Sequence, residues 1–221
     1  MGWFEYALAI IVFFASHSIP LRPNVKPRIV ALTGKRGFSI GYSCVSLAAL
    51  VWLIIAAGRA PYVQLWPWAP WQNWVSVAAI FVACLLISLA IGRANPFSFG
   101  GGQKTFDVSR PGLVQWMRHP LLVALAIWAF SHVLPNGNLA HVFLFGLFGS
   151  FAILGQRAVD RRKKREMGVE WQKLRAQVQN NQALFGGFRA DEATVRILAG
   201  LSVFLIFFGL HQVVLGVNPL P

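Results

Sequence analysis

Charge is scarce in this sequence, and negative charge is scarcest. Of 221 residues only seven are Asp or Glu, against twenty Lys and Arg, so charged residues make up 12% of the chain. A soluble domain carries roughly twice that share, which excludes an ordinary water-facing enzyme. A hydrophobic fraction of 56% and a mean hydropathy of +0.57 exclude disorder. Only Glu5 among the acids falls within an apolar run, so a metalloprotease site or a proton relay through carboxylates is not expected. Cysteine is almost as rare. Cys44 and Cys84 stand in apolar runs without CxxC or CxxCH spacing, which argues against a thioredoxin-like site and covalent haem attachment. Both thiols read as buried small hydrophobes. The glycine run at 100–102 before Lys104 and Thr105 lacks the GxxxxGK[ST] spacing of a phosphate loop and reads as linker.

What is present is apolar length. A bilayer core about 30 Å thick needs about 20 apolar residues per helix, and the runs 3–19, 38–58, 74–92, 120–134, 139–155 and 197–217 predict an all-α polytopic membrane protein with six transmembrane helices. The fourth run is short, and the loop with Pro135, Asn136 and Gly137 makes it a tight hairpin with the fifth. The first run opens with Glu5 and no Lys or Arg, unlike a signal peptide, so it reads as a retained helix. Nineteen of the twenty basic residues sort to one side of such a bundle, in the loops after the first, third and fifth spans, and Arg59 stands alone on the other. By the positive-inside rule that basic side is cytoplasmic and both termini face outward. The net charge of +13 then reports orientation and anionic lipid headgroups rather than nucleic acid.

The chain reads as one domain over 1–221 with a basic cytoplasmic segment at about 157–194. Within it, 161–182 predicts a single amphipathic helix lying in the inner interface, because Met167, Trp171, Leu174 and Val178 recur at helical spacing opposite the basic residues. Trp66, Trp68, Trp71 and Trp74 suit an aromatic belt on the outer side. Gly37 and Gly41 form a GxxxG spacing that permits close helix contact.

Five histidines, His17, His119, His132, His141 and His211, each lie in or at the end of a span. Ionisable residues at membrane depth point to function, and neutral imidazole is the usual protein ligand of a non-covalent haem iron. At about 1.5 Å per helical residue, His17 and His119 fall near the inner side, and His132, His141 and His211 near the outer. Depth alone therefore offers an inner pair and an outer group as candidates.

Further motifs carry a resemblance. They run from Phe14-Ala15-Ser16-His17-Ser18 to Arg22, through Tyr42-Ser43-x-x-Ser46-Leu47-Ala48, and through Gly58-Arg59-Ala60-Pro61-Tyr62-Val63 with Trp66-Pro67. Arg118-His119-Pro120, Trp128-Ala129-x-x-His132, Asn136-Gly137 and Asp160-Arg161-Arg162 complete the set. Together they resemble the NnrU family of bacterial inner-membrane proteins, tied to nitrite and nitric oxide reduction in denitrification. The same domain occurs in 15-cis-zeta-carotene isomerases, which bind haem b between two histidines. The resemblance implies haem b, with His17 and His132 as axial ligands of the iron and His119, Arg118, Trp128 and Asn136 around the cofactor. It implies as partners an apolar polyene substrate or a respiratory reductase subunit. Two departures stand out. The family's Asn-Gly-Asp is Asn136-Gly137-Asn138 here, and the isomerase's cysteine is Ala129. A second resemblance, in Arg118-His119-Pro120 and 165–171, is to membrane methyltransferases that use S-adenosylmethionine, although their Tyr and Gly after the RHP are replaced here by Leu121 to Ala124. A haem-free assembly factor for a reductase is the third expectation.

Overall fold

The computed structural model describes residues 2–99, 105–181, 183 and 187–221. Among them are seven α-helices: α1 (Gly2–Ser18), α2 (Lys26–Arg59), α3 (Pro70–Ala90), α4 (Pro120–Val133), α5 (Leu139–Met167), α6 (Val169–Gln179) and α7 (Ala190–Leu215). A 3-10 turn at Gly112–Gln115 and an isolated bridge between Gln64 and Asn138 are the remaining regular pieces, and no strand is found among the described residues. Each expected apolar run is helical. The helices α2, α3, α5 and α7 are long and apolar enough to cross a membrane. With 17 and 14 residues, α1 and α4 span only about 25 and 21 Å at 1.5 Å per residue.

Contacts gather the chain into two compact units, one of residues 1–66 with 138–144 and the other of 67–137 with 145–221. In the first unit, α1 and α2 run antiparallel. The Glu5 carboxylate lies 3.6 Å from the Arg59 guanidinium at one end, and the Tyr42 hydroxyl donates to the His17 carbonyl at 3.3 Å at the other. Arg59, the lone cation of the expected outer side, thus has a counter-ion. Small residues (Ala9, Ala49, Ala56, Ala57) are buried with Tyr6 and Leu53, which lets the helices approach closely. The Tyr6 hydroxyl donates to the Ala140 carbonyl at 2.8 Å.

In the second unit, α3 packs against both α4 and α7. A Cβ on Gly200 would stand 2.5 Å from Ser88 Oγ and one on Gly149 2.5 Å from the Phe130 ring, so glycine sets how closely these helices cross. Gly200 is the buried residue of α7 and Phe204 packs on Phe81 of α3, while most other large apolar side chains of α7 are exposed. Such surface suits lipid as the solvent.

Several boundaries differ from the sequence reading. Helix α2 starts twelve residues before the apolar run, at Lys26, because Pro27 stands in its first turn, where proline is tolerated, and the rest of the basic stretch to Arg36 contains no breaker except Gly34. That residue adopts φ 74°, a left-handed conformation open to glycine, and it kinks the helix. Helix α5 likewise continues past Gly155 to Met167. The expected single amphipathic helix over 161–182 is corrected: Gly168, at φ 58°, breaks it into the end of α5 and a separate α6, and Gln182 lies outside the described residues. Its apolar stripe is also not free for the interface, since Trp171 and Val178 form a buried cluster with Phe97 and Val114, flanked by Met167 and Leu174. Cys84 is buried as expected, whereas Cys44 is exposed. The space beside Gly41 is open and a Cβ on Gly37 would meet only Thr33, so the GxxxG spacing mediates no helix contact here. The glycine linker at 100–102, with Lys104, falls outside the described residues. Trp68, Trp71 and Trp74 are exposed, in keeping with a belt.

Candidate functional site: a polar cluster and an aromatic histidine on one helix

Helix α4 begins at a proline, whose missing N–H and fixed φ suit the first helical position. His119 directly precedes it, and its carbonyl takes the first helical bond, from Val123 N–H at 2.9 Å. That placement turns the His119 ring into the protein, where the residue is 2% exposed. Burial pushes its pKa below the ordinary histidine value, against the opposing pull of Asp160, so the ring is neutral at pH 7. A carboxylate only accepts, so His119 Nε2–H donates to Asp160 Oδ1 at 3.0 Å. The Ser98 hydroxyl then donates to Nδ1, also at 3.0 Å. Both ring nitrogens are used.

Arg118 completes the cluster. Its Nε and Nη2 donate to Asp160 Oδ1 and Oδ2 at 3.0 and 2.7 Å, the two-pronged geometry that makes such pairs strong. The Asn95 side chain bonds the Arg118 carbonyl at 2.9 Å and accepts from Phe97 N–H at 3.0 Å. Asp160 was legible only as part of a motif. Its signal was being the one acid at the head of a basic run, which a bare count of charges hides. A second ionic knot lies in the same unit: Glu192 accepts from Arg93, from Arg110 at 3.1 Å and from Arg196 at 3.1 Å. Arg196 also bonds the Ser88 and Ile91 carbonyls at 2.7 and 2.9 Å. The residues after α3, the start of α4, the far part of α5 and the start of α7 therefore meet at one end of this unit.

Thirteen residues along α4, His132 has a different setting. Its Nδ1–H donates to the Trp128 carbonyl, one turn back, at 2.8 Å. Its ring stands 5.1 Å from the Trp128 ring and 5.0 Å from that of Phe145. Trp128 packs in turn on Phe145 and Phe148. Asn136, expected near a cofactor, donates to the His132 carbonyl at 2.8 Å and so closes the C-terminus of α4.

His17, in the other unit, repeats the arrangement. Its Nδ1–H donates to the Phe13 carbonyl at 2.7 Å, with the Phe13 ring 4.2 Å away and Tyr42 6.2 Å away. Because a backbone carbonyl only accepts, this bond places the proton on Nδ1 in both residues and leaves the Nε2 lone pair available. A backbone bond to the other ring nitrogen is the usual support of a metal-bound histidine. His141 and His211 are also bonded through Nδ1, and His211 lies close enough to His132 for the two rings to interact electrostatically. His141 Nδ1 bonds Asn138 Oδ1 at 2.9 Å, and His211 Nδ1 bonds the Val217 carbonyl at 2.7 Å. Asn138 Oδ1 also accepts from His141 N–H at 3.0 Å and so caps the start of α5. No group of three or more His, Cys, Asp or Glu suited to a metal is found among the described residues. On the α1–α2 face, a groove of about 590 Å³ is lined by Leu47, Val51, Trp52 and Ile55 with Glu5 and Arg59.

A family model described as "NnrU protein" matches residues 5–219, nearly the whole chain. No curated protein and no solved structure matches.

Proposed function

The chain belongs to the NnrU family, and from that premise we propose a six-span inner-membrane protein, both termini outside, that holds haem b without a covalent bond through His17 and His132. The observation that carries this reading is that His17 and His132 each combine a backbone-held Nδ1–H with surrounding aromatic rings, whereas His211 shares only the backbone bond. His17 and His132 each donate Nδ1–H to a backbone carbonyl, so that in the neutral ring the lone pair is on Nε2. His119 spends both nitrogens on Ser98 and Asp160 and has no lone pair to give. The donor chemistry of the first two fits a haem iron, and the aromatic rings around them suit the apolar macrocycle. This bonding pattern supports the pair His17 and His132 over the pair His17 and His119 that depth alone suggests.

Bound haem would supply redox change or Lewis-acid polarisation at the iron. The protein's own part is to orient two imidazoles, to keep water from them with Phe13, Trp128 and Phe145, and to hold the start of α4 in place through the Arg118–Asp160–His119 cluster. This suits service to nitrite and nitric oxide reduction or an isomerase-like step on an apolar lipid. The methyltransferase alternative is less well supported, because His119 spends both ring nitrogens on Ser98 and Asp160. The test is the visible spectrum of protein purified with haem supplied. A Soret band that shifts or fades in His17→Ala and in His132→Ala, but not in His211→Ala, is expected; its absence from the wild type ends the proposal.

A further inference from the structure

Beside the Arg118–Asp160 pair lies a cavity of about 40 Å³, lined by Phe97, Val114, Gln115, Arg118, Arg175 and Val178. Unsatisfied groups gather around it. Arg175, on α6, forms no ion pair within 4 Å among the described residues; burial and the charge of Arg118 disfavour its guanidinium, and the more distant Asp160 carboxylate offsets part of this. Gln115 donates to the Asn181 carbonyl at 2.8 Å, yet its own Oε1 is buried without a donor. Trp171 is 5% exposed with its Nε1–H buried and unpaired, and Arg118, Arg175 and Lys164 stand 6.0, 5.6 and 4.7 Å from its ring. Buried polar groups normally find partners, so a cation without a directly bonded counter-ion and a buried acceptor without a donor around one void describe what belongs there.

The occupant must be anionic, rich in acceptor oxygens, and able to donate one O–H to Gln115. A void needs about 10–15 Å³ for each water, so this one holds about three waters or a single tetrahedral group. Hydrogen phosphate carries the required O–H, as does the glycerol of an anionic phospholipid headgroup. Sulfate and nitrate at neutral pH carry none.

We propose that this cavity is a phosphoryl-binding site, in which Arg118 and Arg175 hold the anionic oxygens and Gln115 Oε1 accepts the ligand's hydroxyl. The site stands apart from the haem reading. The Asp160 carboxylate takes Nε and Nη2 of Arg118 and leaves Nη1 for the ligand. The ligand would bridge α6 to the start of α4, so that its binding tightens the basic end of the unit.

The experiment titrates inorganic phosphate, and sulfate in parallel, into the full chain in nanodiscs of phosphatidylcholine, followed by calorimetry at low ionic strength. Saturable phosphate binding is expected, with sulfate about tenfold weaker. Arg175→Gln should weaken phosphate about tenfold or more, Arg175→Lys should restore part of it, and Gln115→Leu should bring phosphate down to the level of sulfate. Discs containing phosphatidylglycerol separate the two sources. If phosphate no longer titrates there and native mass spectrometry finds a retained phosphatidylglycerol that Arg175→Gln loses, the ligand is the lipid headgroup. If phosphate still titrates, the ligand is free phosphate. The proposal is overturned if the wild type neither binds phosphate saturably nor retains the lipid, leaving water in the void. It is equally overturned if Arg175→Gln and Gln115→Leu, with helicity intact, change neither.

Discussion

The two ends of α4 carry one histidine each, and the pair shows how little the residue type decides. At the start, His119 sits in a polar knot where a serine and a carboxylate claim both nitrogens. Near the finish, His132 lies among aromatic rings and gives one N–H to its own helix. Both are at least partly buried in the same unit. The first therefore holds the fold together, and the second keeps Nε2 for the proposed haem. Stability and cofactor should then respond to different substitutions, and the predictions below are arranged to pull them apart.

The largest effect is expected at Asp160, whose side chain is 16% exposed and serves two donors at once. Asp160→Ala leaves Arg118 and His119 without an acceptor. It should cost about 3 kcal/mol in chemical unfolding of the detergent-solubilised protein, while leaving the Soret band of the folded fraction in place. His119→Ala removes one of those donors and a buried ring, and should cost about 2 kcal/mol with the same spectral indifference. His132→Ala should do the opposite, changing the spectrum more than the unfolding midpoint of the haem-free protein.

A pH series sharpens the contrast. Burial holds the His119 pKa below its ordinary value, which is near 6.5 in an unfolded chain. Acidification through that value protonates the unfolded ring while the folded one resists, so the unfolded state takes up protons and stability falls. The contribution is fully present above about pH 6.5 and declines below it, by at most about 1.4 kcal/mol per pH unit. His119→Gln, which can still bond both neighbours, should flatten this part of the stability curve. Smallest of all is Asn136→Ala, which removes the bond to the His132 carbonyl. A loss of about 1 kcal/mol in the unfolding free energy is expected, with haem affinity lowered only as far as the end of α4 frays.

How far the sequence reveals this follows from the same contrast. The apolar runs are legible because crossing a bilayer demands length, and the α4–α5 hairpin appears within a residue of where Pro135, Asn136 and Gly137 place it. The polar extensions of α2 and α5 are not, since a charged stretch stays helical until a residue such as Gly34 or Gly168 turns it, and hydropathy registers only the change in solvent. His132 and His17 stand out as imidazoles inside apolar runs. The role of His119 is hidden, because it depends on Asp160, forty-one residues away, and on Ser98, which no spacing rule connects to it. The stripe of Trp171 and Val178 is visible as a period, but periodicity does not say whether lipid or Phe97 lies opposite.

The most direct measurement is the haem content per chain, by pyridine haemochrome, of wild type, His17→Ala, His132→Ala and His119→Ala purified side by side with haem supplied. The account predicts about one haem per chain in the wild type and in folded His119→Ala, and far less in the other two. Haem that persists in His132→Ala and disappears from His119→Ala, or that is absent from the wild type, would contradict it.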